Sequence, residues 1–240
     1  MSNNVFISDM IRAVLKHIVS YEDANFLIKE YYEKNNLMDH YNRDLAFFRI
    51  SILLSKKDKF ALNPKYIKNI HYILFNSIVD DAGCYRQKNI SKREECLHAR
   101  SVIYSDYDMI EANLTYDLNK EQQTSYYRKS TDERSVLLSD FVSHIWQAHP
   151  FSDGNTRTDM VFLQKYLDHL ELDYDNRIFE NNFTYFRNAL VRSNYNTIGF
   201  IEPTDEYLNK FMYNLLTGKT ETLDIRETYV PEERMIIKHQ

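Results

Sequence analysis

Apolar positions recur three and four apart along most of the chain, the repeat of helices that bury one face. Val5, Phe6, Met10, Ile11, Val14, Leu15 and Ile18 predict a first helix that ends before the polar stretch from Ser20 to Asn25. Phe26, Leu27, Tyr31 and Tyr32 predict a second. A third is expected from about Arg43 to Leu54, ahead of the charged, solvated turn Lys56-Lys57-Asp58-Lys59. Asn63 before Pro64 is a start signal, because the Asn side chain can cap the first turn and Pro fits its first position. Ile67, Ile70, Ile73, Leu74 and Ile78 continue that helix, and Asp80-Asp81-Ala82-Gly83 is its expected stop. His71 lies on the same helix and reads as a packed structural residue.

The pattern then changes. Cys84-Tyr85-Arg86, Glu95-Cys96-Leu97 and Val102-Ile103-Tyr104 are short β-prone runs, which predict a small hairpin turning near His98 to Ser101. Helical spacing resumes from about Asp106 to Leu118. It returns from Thr131 to Trp146 as a wide stripe, the mark of a central helix, and again from Val161 to Leu170.

Composition sharpens this picture. The 240 residues hold only 4 Gly and 4 Pro, too few turn formers for a many-stranded sandwich, so the fold class expected is all-α with one hairpin. The net charge of -5 argues against nucleic acid as the main ligand, since phosphate neutralisation needs a basic excess. Cys84 and Cys96 stand without further Cys or His at ligand spacing and read as reduced thiols. Asp9, Arg12 and Lys16 interrupt any secretion signal, and no apolar run is long enough to span a membrane, so a soluble cytoplasmic protein is expected.

The chemistry concentrates in His149-Pro150-Phe151-Ser152-Asp153-Gly154-Asn155-Thr156-Arg157, a short loop between two core helices. His149 ends the buried face of the first helix. The second should begin near Gly154 to Thr156, turning unpaired backbone N–H groups and a positive dipole end toward the loop, an arrangement that binds phosphate. Arg157 adds a fixed cation, and Asp153 shares a site with phosphate best across a divalent metal. The residues thus read as a phosphate-group transfer site, with His149 as general base and Asp153 as metal ligand.

This run resembles the signature of the Fic family: His-Pro-Phe, any residue, Asp or Glu, Gly-Asn-Gly-Arg and, three later, a second Arg. Ile70-His71 to Phe75, Asp81-Ala82-Gly83, Arg86 and Asn89-Ile90-Ser91 resemble the family's lead-in to its hairpin flap, and the likeness spans roughly residues 60–215. It implies a Fic-type helical bundle, with residues 59–218 as the domain, 1–58 as a helical segment packed on it, and 219–240 as a tail. It also implies a protein adenylyltransferase that moves AMP from ATP onto a Ser, Thr or Tyr hydroxyl of a target protein. His149 would take the proton and Asp153 would hold Mg²⁺. Gly154 and Asn155 would cradle the α-phosphate, with Thr156 beside it and Arg157 on the outer phosphates. Asn194, in Ser193-Asn194-Tyr195, would contact adenine. The flap residues Leu97, Val102, Ile103 and Tyr104 would dock the target.

Thr156 and Met160 stand where the family has its second Gly and second Arg, and the family's inhibitory segment is not found. An inhibitory partner or self-association is therefore left open. Two alternatives accompany the main reading: a kinase or other phosphate-group transferase like the Doc relatives, which also lack both residues, and a module that binds nucleotide or a partner without turnover.

Overall fold

The structure, a computed structural model, describes residues 5–57, 59–196, 201–219 and 222–231. Asp58 of the charged turn and the apolar run Met235-Ile236-Ile237 lie outside the described residues. Among those described there are nine α-helices: α1 (Val5–Leu15), α2 (Tyr21–Lys34), α3 (Met38–Ser55), α4 (Pro64–Phe75), α5 (Ile110–Glu121), α6 (Thr131–Ala148), α7 (Asn155–His169), α8 (Arg177–Asn194) and α9 (Glu206–Thr217). None of the described helices is long and apolar enough to cross a membrane.

The central helix is α6, which packs on α5, α7, α8 and α9, while α4 lies on α7. Ser130 and Glu133 start α6 with a reciprocal capping box: Glu133 N donates to Ser130 Oγ at 3.2 Å, and Ser130 N donates to Glu133 Oε2 at 2.8 Å. Such a cap contributes about 1 kcal/mol. Its buried face carries Leu138, Phe141, Val142, Ile145 and Trp146 into the main core. A second, smaller core of Ile7, Ala24, Ile28, Tyr32, Leu45, Phe48 and Ile52 joins α1, α2 and α3. The outer face of α3 thus serves this small core, while its Ala46 and Leu53 join the main one.

Asn63 caps α4 as expected, its Oδ1 accepting from Tyr66 N at 2.9 Å. The end of α4 departs from expectation: it stops at Phe75, so Ile78 is outside the helix. The cause is Arg49, a buried residue of α3 whose Nη1 donates to the carbonyls of Leu74 (3.3 Å) and Asn76 (2.5 Å) and so caps the helix early. Gly83 then takes the left-handed conformation (φ 78°) that the sequence assigned to the stop.

The hairpin is also pared down. Among the described residues it is a single antiparallel bridge between Glu94 and Arg100, closed by a 3₁₀ turn, Glu95–Leu97. Long-range partners pull it inward. Buried Glu94 takes Arg187 (2.8 Å) and Tyr104 OH (3.1 Å), Val230 N donates to Cys96 O (3.0 Å), and the His98 ring meets Val230 O (2.7 Å).

Candidate active site

His149 occupies the residue after α6 in a left-handed conformation (φ 43°, ψ 57°), which turns the chain sharply into the loop. Arg86 holds this corner. Its Nε donates to His149 O (2.9 Å), its Nη1 to Lys88 O (2.8 Å), its Nη2 to Ser105 O, and its backbone N to Pro150 O (2.9 Å). One guanidinium therefore takes the carbonyls at the C-terminus of α6, where a cation suits the helix dipole, and ties both arms of the flap to the same point.

The His149 ring is 4% exposed, 4.1 Å from the Tyr104 ring and edge-on to Trp146 at 5.2 Å. Burial pushes its pKa down to about 3, with the charge of Lys92 acting in the same direction and the Trp146 carbonyl opposing it. The imidazole is therefore neutral at neutral pH, the form a general base requires. Its Nδ1 is buried and makes no hydrogen bond of good geometry.

The loop is held from within. Asn155 Oδ1 accepts from Phe151 N (2.9 Å) and its Nδ2 donates to Phe151 O (2.8 Å), so this side chain ties the turn together; what it presents to a ligand is the N-terminal end of α7. Gly154 (φ 79°) precedes the helix, and a Cβ there would lie 2.5 Å from Phe75 Cε2. No side chain caps α7, which leaves its first-turn amides turned to the loop mouth. Thr156 does not crowd that mouth, because its Oγ1 turns back to accept the indole N–H of buried Trp146 at 3.0 Å. Arg157 lies over the Phe75 ring at 4.6 Å, with Nη2 3.6 Å from Asp153 Oδ2.

The Asp153 carboxylate is exposed, and no group of three or more metal-ligating side chains occurs among the described residues. One hard carboxylate beside a phosphate-binding helix end fits Mg²⁺, which keeps few protein ligands and is otherwise held by substrate phosphates and water. The Asp153 carbonyl is fixed by His71: His71 Nε2 donates to it at 3.0 Å, Nδ1 accepts Gly83 N at 2.8 Å, and the ring stacks on Phe151 at 3.7 Å.

Other residues lie elsewhere. Asn194 donates through Nδ2 to Ser143 Oγ (2.9 Å), in the C-terminal half of α6, and to Leu190 O (2.9 Å) of its own helix. Leu97, Val102 and Tyr104 are core residues, since the flap is drawn inward; of the four flap residues only Ile103 is exposed, at 80%. Met160 is buried and lines a cavity of about 610 Å³ with Phe47, Phe179, Phe183 and Arg157. Lys92, which sequence reading passed over, reaches the loop from the arm that leads into the flap: its Nζ donates to Ser152 O at 3.1 Å.

Residues 61–167 match the Fic/DOC family model. No curated protein matches the sequence. Among solved structures the chain resembles BepC, a VirB-translocated effector of Bartonella tribocorum with bound AMPPNP, with 14% identity, a TM-score of 0.59, and 75% of this chain and 86% of that one covered. It also resembles the N-terminal Fic domain of a Bep effector from Bartonella sp. AR 15-3, with 15% identity, a TM-score of 0.57, and 82% and 87% covered. A third likeness is to the Fic domain of Bep8 from Bartonella sp. 1-1C, with 16% identity, a TM-score of 0.57, and 74% and 84% covered. The chain thus shares the fold of these Fic domains, and its residues 61–167 match the Fic/DOC family model.

Proposed function

We propose that the protein is a nucleotidyltransferase that moves AMP from ATP onto a Ser, Thr or Tyr hydroxyl of a target protein. The observation that carries this reading is the meeting of a buried neutral His149 with the uncapped N-terminus of α7 and Arg157 across one short loop. His149 accepts the hydroxyl proton as the oxygen bonds to the α-phosphorus; the bond from that phosphorus to the β-phosphate oxygen breaks, and pyrophosphate leaves. The amides of the first turn of α7 face charge developing on the α-phosphate, and Arg157 faces the departing phosphates. Bound phosphate charge also raises the basicity of the imidazole by direct attraction, which improves it as a proton acceptor. Mg²⁺ held by Asp153 supplies charge neutralisation among the phosphates. AMPPNP bound to the BepC neighbour supports ATP as donor. We further assign residues 59–218 to the catalytic domain, 1–58 to a segment braced against it and 219–240 to a tail.

One observation favours a second reading. Met160 places a thioether where the family pattern has its second Arg, in a cavity that Arg157 and Arg43 also line. Transfer of the γ-phosphoryl group from a reversed nucleotide would suit such a site. ATP labelled at the α- or the γ-phosphate, with Mg²⁺ and a cell extract, separates the two. Label from the α-position alone, lost in His149→Ala, is the expected result; label from the γ-position alone would replace AMP transfer with kinase chemistry. No label from either, with ATP still bound, would leave a binding module.

A further inference from the structure

The loop faces a polyphosphate with few charges of its own. Arg157 is its one cation, and part of that charge is spent on Asp153 at 3.6 Å. Position 160 offers only a buried thioether. Three observations draw attention to Lys92. Its ammonium is seated on the loop itself, at the Ser152 carbonyl (3.1 Å), although the residue lies on the arm that leads into the flap. Its own backbone N donates to Ser101 Oγ at 3.0 Å, which anchors the residue to the opposite arm of the hairpin. Among the described residues no carboxylate pairs with it, and a single neutral carbonyl takes one of its three N–H donors.

We propose that Lys92 is the second phosphate-holding cation of this site, supplied by the arm that leads into the flap and moving from the Ser152 carbonyl onto a bound polyphosphate. The proposal rests on the nucleotide reading given above and deepens it. A neutral carbonyl is a weaker partner than a phosphate oxygen, so the exchange is favourable once nucleotide arrives. The flap then closes over the nucleotide through Lys92, and the same arm is joined to the His149 corner through Arg86. Nucleotide binding is thereby linked to the position of the flap.

Calorimetric titration of the full chain with Mg²⁺ and ATP, AMP or tripolyphosphate tests this. In Lys92→Met, ATP and tripolyphosphate affinity should fall about tenfold or more, the effect of losing one charge-assisted contact, while AMP affinity changes less than about twofold. Lys92→Arg should restore most of the loss. Equal weakening of ATP and AMP in Lys92→Met would mean that the residue only shapes the flap, and would overturn the proposal. So would unchanged ATP affinity in Lys92→Met beside a loss in Arg157→Met, an outcome that leaves the phosphate-loop reading standing. A wild-type chain that binds neither ATP nor tripolyphosphate overturns both.

Discussion

Two buried histidines stand at either end of the same loop, and they differ in one respect. His71 on α4 and His149 after α6 are both closed off from solvent, and burial pushes both pKa values down, to about 4 and about 3. His71 has both ring nitrogens engaged, one by Gly83 N and one by the Asp153 carbonyl. His149 has no hydrogen bond of good geometry at Nδ1, only the nearby Trp146 carbonyl acting on the ring. Burial therefore does not distinguish the two rings; under the proposed chemistry the difference is that His71 is held at both nitrogens and His149 is not. A satisfied histidine has nothing left to offer a substrate, and an unsatisfied one is retained at a cost in stability of about 1–3 kcal/mol.

The largest expected effect breaks the pair by function. His149→Ala should lower group transfer by about 10²–10⁴, the range for losing a general base, and should cost about 1–2 kcal/mol of stability, the cavity left beside Tyr104 and Trp146 being partly offset because a poorly paired polar atom leaves with the ring. His71→Ala should show the reverse balance. It strands Gly83 N–H and the Asp153 carbonyl and removes the ring stacked on Phe151, so the urea midpoint should fall by the equivalent of about 3 kcal/mol or more. Equal stability losses in the two variants would dissolve the comparison.

Acid should act on both together. Each ring has a folded-state pKa below its ordinary value of 6.5, so the unfolded chain binds more protons as pH falls through 6.5. The stability of the neutral forms is complete above that value and is lost progressively toward pH 4 and pH 3. At pH 5 each histidine should have withdrawn about 2 kcal/mol relative to pH 7, measurable in urea titrations at the two pH values. In His71→Gln, which cannot take up that proton, one of the two shares should vanish.

The loop was legible in the sequence because its geometry is local. Gly154 is required by its own φ and by Phe75, Pro150 by the end of α6, and His149 and Arg157 sit at helix ends whose direction the apolar spacing sets. Asn63 and Ser130 announced α4 and α6 for the same reason. The flap was not legible, because Glu94 answers to Arg187 and His98 to Val230, residues far apart in the chain. That His71 is a packed structural residue was legible from its helix, but its partner Asp153 was not, since it comes from another helix junction. For Asn194 the resemblance implies an adenine contact, and in the fold the packing of α8 on α6 brings its Nδ2 to Ser143 Oγ, a partner the sequence does not announce. Period and punctuation specify where helices begin and point; they do not say which distant side chain will claim a polar group.

Thr156 carries the comparison to its smallest scale. Against the family pattern it is a foreign side chain in the loop, but its Oγ1 accepts the N–H of Trp146, a fully buried indole that would otherwise be unpaired. By the rule drawn from the histidines, Thr156 belongs to the scaffold. Thr156→Val keeps the shape and removes the acceptor, so it should cost about 1–2 kcal/mol, and Thr156→Ser should cost less than half of that. Because Trp146 is the only tryptophan in the chain, its emission reads this bond directly: the folded spectrum should change in Thr156→Val and not in Thr156→Ser. Transfer activity should fall no further than the loss of folded protein accounts for. A Val variant as stable as the parent, with an unchanged spectrum, would mean that the indole finds another partner and that Thr156 is free to face the phosphates.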